Sequence, residues 1–244
     1  MSLTNIYDDI YANPRNHVDS FKFDEEVVQV FTDMIARSVP GYMLTLPLIG
    51  LLGSQYAQPN SKVYDLGCSL GAVSLSLQPQ VTPDCTIMAV DNSSAMIEKC
   101  RQVVKNEVGK APIELVEADI RSIPIRDASV VVLNFTLQFI APDQRAELIQ
   151  TIYDGLRPGG ALILSEKVAF EDAAQNGRFT NLHHNFKRAN GYSDLEISQK
   201  RTAIENVLIA DSVPQHQARL TEAGFSSAEV WFQALNFMSI FALK

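Results

Sequence analysis

Cysteine is scarce in this chain. The three residues, Cys68, Cys85 and Cys100, show no CxxC spacing, and their odd count gives no disulfide framework. That favours a reducing compartment. Positive charge is also in deficit: 20 Lys+Arg against 28 Asp+Glu leave −8 at pH 7. A whole-chain basic footprint for nucleic acid or an anionic membrane is therefore missing, although a local patch is not excluded. Long apolar runs are absent too. The most apolar window, Met43 to Leu52, is too short to span a bilayer and contains Pro47. Met1-Ser2-Leu3-Thr4-Asn5 has no positively charged segment leading into an apolar core, so no secretory signal is expected. The cytoplasm is the expected compartment, with no membrane and no direct nucleic-acid partner.

What is present suits a globular protein. The 244 residues, 46% hydrophobic and 20% charged, fit one domain with room for a helical cap. Residues 1 to about 22 carry turn formers and scattered aromatics without a period, and read as a loosely ordered arm. Asp24 caps a helix to about Arg37, with Val27, Val28, Phe31, Met34 and Ile35 at spacings of three and four. A second helix is expected from Tyr42 to about Tyr56. Together, residues 1–60 form an arm and a helical lid.

From residue 61 onward, strands and helices alternate. Strands are predicted at 62–66, 86–90, 113–117, 129–134 and 161–165, and helices at about 72–79, 93–107, 142–156 and 213–223. Runs apolar throughout, such as Val130 to Leu133, suit strands buried on both faces of a parallel sheet. Gly155 to Gly160 reads as a helix stop and a turn. The segment 171–210 interrupts the rhythm as a helical insertion. Within it, Phe179 to Arg188 looks helical, and Ser193 to Glu196 reads as a capping box opening a helix with Lys200 and Arg201. The last twenty residues read as two strands, 227–232 and 234–243. The fold class is α/β, a doubly wound and mostly parallel sheet with an antiparallel C-terminal hairpin.

Such sheets bind ligands beyond the carboxyl ends of their strands. Four spots fall there: the turn Asp65-Leu-Gly-Cys-Ser-Leu-Gly71, Asp91-Asn92, Asp119-Ile120 and Asn134. Glycine lets the turn approach a nucleotide-like ligand closely. Asp91 lies 20 residues past Gly71, the distance at which an acid meets a ribose diol. Asp119 suits an adenine amino group, with Ile120 against the ring. A single acid at a strand end often just caps the next helix; three in register argue for a ligand. His183-His184 invites a metal reading, but adjacent helical residues point about 100° apart and rarely share an ion, so no metal is expected. Cys68 has no evident base, which leaves it a poor nucleophile candidate.

The turn, Asp91, Asp119-Ile120, the Leu-Arg-Pro-Gly-Gly stretch and the Ala-Gly-Phe hairpin together resemble a Rossmann-like class I S-adenosylmethionine-dependent methyltransferase fold over roughly residues 60–244. Ser69 departs from that pattern, standing where a middle glycine is usual. Further stretches narrow the resemblance: Arg37-Ser-Val-Pro-Gly-Tyr42, Leu133-Asn-Phe-Thr-Leu-Gln-Phe139, Phe186-Lys-Arg-Ala-Asn-Gly-Tyr192 and Glu196-Ile-Ser-Gln-Lys-Arg201. With Tyr64 to Ala72, they resemble the carboxy-S-adenosyl-methionine synthase family over nearly the whole chain.

That resemblance implies an enzyme making carboxy-S-adenosyl-L-methionine and phenylpyruvate from S-adenosyl-L-methionine and prephenate. The product would feed a separate tRNA carboxymethyltransferase acting on the wobble uridine. It also implies ligand contacts by Tyr42, Gly67, Cys68, Ser69, Asp91, Asn92, Asp119, Ile120, Asn134 and Arg201, and a homodimer in which Arg201 reaches the partner's site. Tyr42 and Arg201 carry the choice of chemistry, with Lys187, Arg188, Lys200 and Arg37 as weaker partners for carboxylates. An ordinary small-molecule methyltransferase and a non-catalytic binding module of a tRNA-modification pathway share the same rim and stay open.

Overall fold

The computed structural model describes residues 6–107 and 109–244. Helix α1 (Glu25–Ser38) starts where Asp24 accepts the Val27 N–H at 3.1 Å. Glu25 and Glu26 lie in its first turn and Arg37 in its last, matching the helix dipole at both ends. Gly41, at φ 80°, then turns the chain so that α2 (Tyr42–Tyr56) leaves at 95° to α1. This bend places Tyr42 beneath α1, at the head of its helix. Among the described residues, no single helix is long and apolar enough to cross a membrane.

The core alternates as expected: β1 (Lys62–Leu66), α3 (Ala72–Leu77), β2 (Thr86–Asp91), α4 (Ser94–Lys105), β3 (Ile113–Glu117), β4 (Ala128–Asn134), α5 (Arg145–Gly155) and β5 (Leu156–Lys167). The insertion holds α6 (Ala173–Ala189) and α7 (Asp194–Ile204); α8 (Val213–Ala223) precedes the hairpin β6 (Ser227–Ala234) and β7 (Phe237–Leu243). One seven-stranded sheet results, ordered β3-β2-β1-β4-β5-β7-β6. Its first five strands are parallel; β7 runs antiparallel between β5 and β6. The order reverses between β1 and β4, where a crevice opens at the carboxyl ends of the strands.

Both faces of the sheet are covered. Tyr64, Leu66, Val131 and Leu133 pack with Ile149 and Ile152 of α5 and Leu220 of α8. Val63, Val130 and Val132 face the other way, onto Ile49 of α2 and Val73 and Leu77 of α3. Val130 to Leu133 are fully buried, which is why that run lacks polar alternation. Each such side chain contributes about 1.5–3 kcal/mol of burial.

Three readings need correction. First, Leu156 to Gly160 is strand rather than turn: Leu156 pairs with Ala128, and a bulge follows before Val130 meets Ala161. The bulge absorbs the proline and glycines that signalled a turn. Second, α6 begins at Ala173, capped by Asp172, several residues before the expected start. Third, the arm is pinned rather than loose, although residues 1–5 lie outside the described residues. It has no regular helix or strand, yet Asp8, Tyr11 and Phe21 are buried. Gln199 of α7 donates to the carbonyls of Tyr11 (2.8 Å) and Asn13 (2.9 Å), and accepts the Arg15 N–H (2.8 Å). The arm's missing backbone partners come from a helix more than 180 residues away in sequence, which no local pattern encodes.

Candidate active site

The strand ends open into a cavity of about 390 Å³, covered by α1, the head of α2, α6 and α7. Tyr42, Gly67, Cys68, Ser69, Asp91, Asn92, Asp119, Ile120 and Asn134 all line it. Arg201 does not. It sits on α7 with its side chain 66% exposed, paired with Glu205 at 4.0 Å, while its charge still reaches Lys167 and His184.

The turn after β1 is held from β2. Gly67 has φ 83°, and a Cβ there would fall 2.3 Å from Thr136 Oγ1. Ser69 itself takes the left-handed conformation (φ 48°), the backbone that a middle glycine would supply freely. Its N–H donates to Asp91 Oδ2 at 2.9 Å, while Asp91 Oδ1 accepts the Ser93 N–H at 2.9 Å. Burial raises the Asp91 carboxyl, and these N–H donors oppose that. A carboxylate has about four lone-pair positions, so about two stay available for a vicinal diol. Asp65, beneath the turn, accepts both the N–H (3.0 Å) and hydroxyl (2.6 Å) of Ser74; burial nevertheless raises it to about 6. Hydrogen bonding with Cys100 and then burial raise the Cys68 thiol, which stays neutral and supplies no thiolate.

At the next strand end, Asp119 is clasped by Arg121, whose Nε lies 2.9 Å and 3.1 Å from its two oxygens. The carboxyl is lowered by that bond. Any amino group it accepts shares it with the guanidinium. Beside it, Asn134 Oδ1 is buried with no hydrogen-bond partner among the described residues. It lines the cavity, where a ligand donor would satisfy it. Phe135 follows at φ 61°, an uncommon backbone for an aromatic residue, and its ring stands 6.2 Å from that of Tyr42. Burial, with Asp65 adding to it, raises the Tyr42 phenol, so it remains protonated.

The remaining wall is cationic. Lys167 at the end of β5, Lys187 on α6 and Lys200 on α7 all line the cavity, together with His183. His183 Nε2 donates to the Ser38 carbonyl at 2.8 Å, and burial lowers the ring to about 3, so it is neutral. Among the described residues, no group of three or more His, Cys, Asp or Glu is placed to hold a metal.

The comparisons fit this geometry. Residues 63–160 match the family described as a methyltransferase domain. The chain is 57% identical over 238 residues to the carboxy-S-adenosyl-L-methionine synthase of Photobacterium profundum, covering 97% of this chain and 98% of that protein. It is 57% identical over 244 residues to the enzyme of the same name from a Geobacter species, covering 99% of this chain and 100% of that one.

The chain belongs to the carboxy-S-adenosyl-L-methionine synthase family.

Solved structures agree on the fold. Human N-acetylserotonin methyltransferase in complex with SAM superposes with a TM-score of 0.61 at 18% identity, over 100% of this chain and 63% of that one. An O-methyltransferase family protein from Burkholderia thailandensis gives 0.63 at 18%, over 91% and 60%.

Within this synthase-family chain, the stretches that carried the narrower resemblance prove to be partly architectural. Arg37, a weaker candidate for carboxylates, is fully engaged: Nε donates to the Asn190 carbonyl at 2.7 Å, Nη1 meets Asp33 at 3.0 Å, and Nη2 donates to the Tyr7 hydroxyl at 2.5 Å. Arg188, another, is exposed and pairs with Asp194 at 2.7 Å. Lys187 and Lys200 do enter the cavity. Sequence reasoning missed Lys167 and Phe135. Lys167 had a usable signal, because it ends the fifth parallel strand as the other sites end the earlier ones. Phe135 had none beyond following Asn134, since its side chain is aimed by a backbone conformation that the sequence does not announce.

Proposed function

We propose that the protein converts S-adenosyl-L-methionine and prephenate into carboxy-S-adenosyl-L-methionine and phenylpyruvate. One observation carries the reading beyond the family name: the adenosyl rim and a carboxylate-seeking lysine wall open into a single covered cavity. Asp91 and Asn92 would take the ribose, Asp119 and Ile120 the adenine, and Gly67, Cys68 and Ser69 the amino-acid part. The sulfonium would then lie toward Tyr42, Asn134 and Phe135.

The chemistry balances without a metal. The ring C–CO₂ bond of prephenate breaks, its electron pair aromatises the ring, and the hydroxyl leaves. That leaving group takes a proton from the sulfonium methyl and departs as water. The resulting ylide carbon attacks the freed carbon dioxide and forms the new C–C bond. The protein's task is alignment and exclusion of water, which would quench the ylide. The Tyr42 phenol is protonated and so does not serve as the base.

Within this proposal, the first sixty residues and the 171–210 insertion form the cover, and the protein works in the cytoplasm. Met43, Leu44 and Leu51 expose an apolar side of α2, which supports a homodimer. Arg201, exposed and outside the lining of its own cavity, would reach the partner's. The product would pass to a separate tRNA carboxymethyltransferase.

Incubation with S-adenosyl-L-methionine and prephenate tests the reaction. Mass analysis should find a product heavier than S-adenosyl-L-methionine by one carbon dioxide. Finding only S-adenosylhomocysteine would instead assign an ordinary methyltransferase, and ligand binding without turnover would assign a binding module.

A further inference from the structure

Three ammonium groups converge on one wall of the cavity from three separate elements: β5, α6 and α7. Among the described residues, the Lys167 and Lys187 side chains have no hydrogen-bond or ion-pair partner. Lys200 Nζ reaches only Met34 Sδ, at 2.6 Å, and the rings of Phe21 (4.6 Å) and Tyr11 (5.8 Å). The carboxylate whose charge favours protonation of Lys187 and Lys200 is Asp8. It is already occupied: Oδ2 accepts the Tyr192 hydroxyl at 2.5 Å and Oδ1 the Ile10 N–H at 3.4 Å.

This arrangement is costly without a ligand. Burial pulls Lys200 down to about 7 and Lys187 to about 8; it also lowers Lys167, helped by the nearby Arg201 charge. Lys187 and Lys167 oppose each other, as do Lys200 and Lys187. Ordinary lysines avoid such sites by extending their stems to water. Here the surroundings offer Phe21, Phe23, Phe31 and Phe139 instead. A bound anion would offset the repulsion and the lost hydration together.

We propose that Lys167, Lys187 and Lys200 form the subsite for the carboxylate of the second substrate that remains on the leaving product. Resting on the reaction proposed above, this is the α-keto acid carboxylate of prephenate, retained in phenylpyruvate. The other carboxylate, on the ring, then faces the aromatic wall of Tyr42 and Phe135, beside the sulfonium whose ylide takes up its carbon dioxide. The division has a chemical reason. A carboxylate held by cations is stabilised against losing carbon dioxide, whereas one stripped of water on an apolar wall is not. The lysines therefore act as positioning and specificity groups: they decide which carboxylate stays.

The test uses Lys→Met and Lys→Arg replacements at each position. Methionine removes the charge with similar length in an apolar setting, and a thermal melt checks that each variant is folded. Calorimetry measures phenylpyruvate binding to protein loaded with S-adenosyl-L-methionine, and S-adenosyl-L-methionine binding alone. Each Met variant should bind phenylpyruvate at least about tenfold more weakly, the loss of one charge-assisted contact. The KM for prephenate should rise in parallel, S-adenosyl-L-methionine affinity should hold within about twofold, and the Arg variants should recover most of the loss. Unchanged phenylpyruvate affinity overturns the subsite. So does a matching fall in S-adenosyl-L-methionine affinity, which would assign the lysines to its amino-acid carboxylate. If wild-type protein binds phenylpyruvate through these lysines yet forms no carboxylated product, the subsite stands and the proposed reaction falls.

Discussion

The guanidinium of Arg37 lies 3.8 Å from the ring centroid of Tyr192, joining the end of α1 to the turn between α6 and α7. The Tyr7 ring covers it from the arm at 3.9 Å. One cation thus ties together three stretches of the cavity's cover, with Gly191 (φ 88°) letting the backbone turn close beside it. The cover is consequently a single packed unit, in which the lysine-bearing helices are fixed relative to the rim.

Replacing Arg37 tests that linkage. Arg37→Lys keeps the charge but loses the planar fork and its stacking on two rings. It should destabilise the protein by on the order of 3 kcal/mol, because the Asn190 carbonyl and Asp33 lose buried donors. Chemical denaturation measures the loss. Proteolysis of the native state should cut first in the arm; a wild-type cleavage pattern would contradict the clasp.

Asp91→Ala should weaken S-adenosyl-L-methionine and its carboxylated product by similar factors, about tenfold to a hundredfold, since a charged hydrogen-bond acceptor is worth roughly 1.5–3 kcal/mol. Both ligands share the ribose. A loss confined to one of them would remove Asp91 from the ribose site. Part of the loss should come from freeing the Ser69 N–H, which Asp91 holds.

Arg201→Ala offers the opposite pattern. The side chain is two-thirds exposed, so stability should change by less than about 0.5 kcal/mol. The carboxylated ligand should weaken by about tenfold or more while S-adenosyl-L-methionine changes little. Titration calorimetry with both ligands decides it, and equal losses would end the proposed selectivity.

The buried lysines predict an unusual pH dependence. Unfolded lysine keeps its proton to about 10.4. In the folded protein, burial brings Lys200 to about 7 and Lys187 to about 8. Between these limits the unfolded chain binds more protons, so their contribution to ligand-free stability rises with pH from about 7 toward 10. Asp8, Lys167 and Met34 face these groups, and Lys167, itself lowered by burial, contributes in the same direction. Comparing urea unfolding of wild type with the Lys187→Met/Lys200→Met double variant isolates their share: the variant should lose most of the rise and keep only the part that Lys167 contributes. Bound phenylpyruvate should stabilise most at or below about pH 7 and progressively less as the ammonium groups deprotonate.

Much of the rim was legible in sequence because strand ends are local features. An apolar run followed by Asp91-Asn92 or Asp119-Ile120 places each residue at the same edge once the sheet is parallel. The turn at 65–71 was legible for the same reason, even with Ser69, since Asp91 supplies the hydrogen bond that helps hold its left-handed backbone. The cover was legible only in part. Lys200 and Arg201 are neighbours on α7, about 100° apart around the helix; spacing alone left the arginine on a solvated face, and the family resemblance favoured it as a ligand contact. Packing turned the lysine inward, against Phe21 and Met34, and left the arginine outside.

By itself, then, the sequence determined what short-range chemistry can determine: a buried parallel sheet, its helix caps, the glycine-bearing turn and the acids beyond the strand ends. The tertiary structure decided which charges face the cavity. That choice depends on how α6 and α7 settle over the sheet, how the arm fills the gap beneath them, and where Arg37 binds them together. These contacts join residues more than 150 positions apart, and their geometry comes from packing rather than from any local pattern.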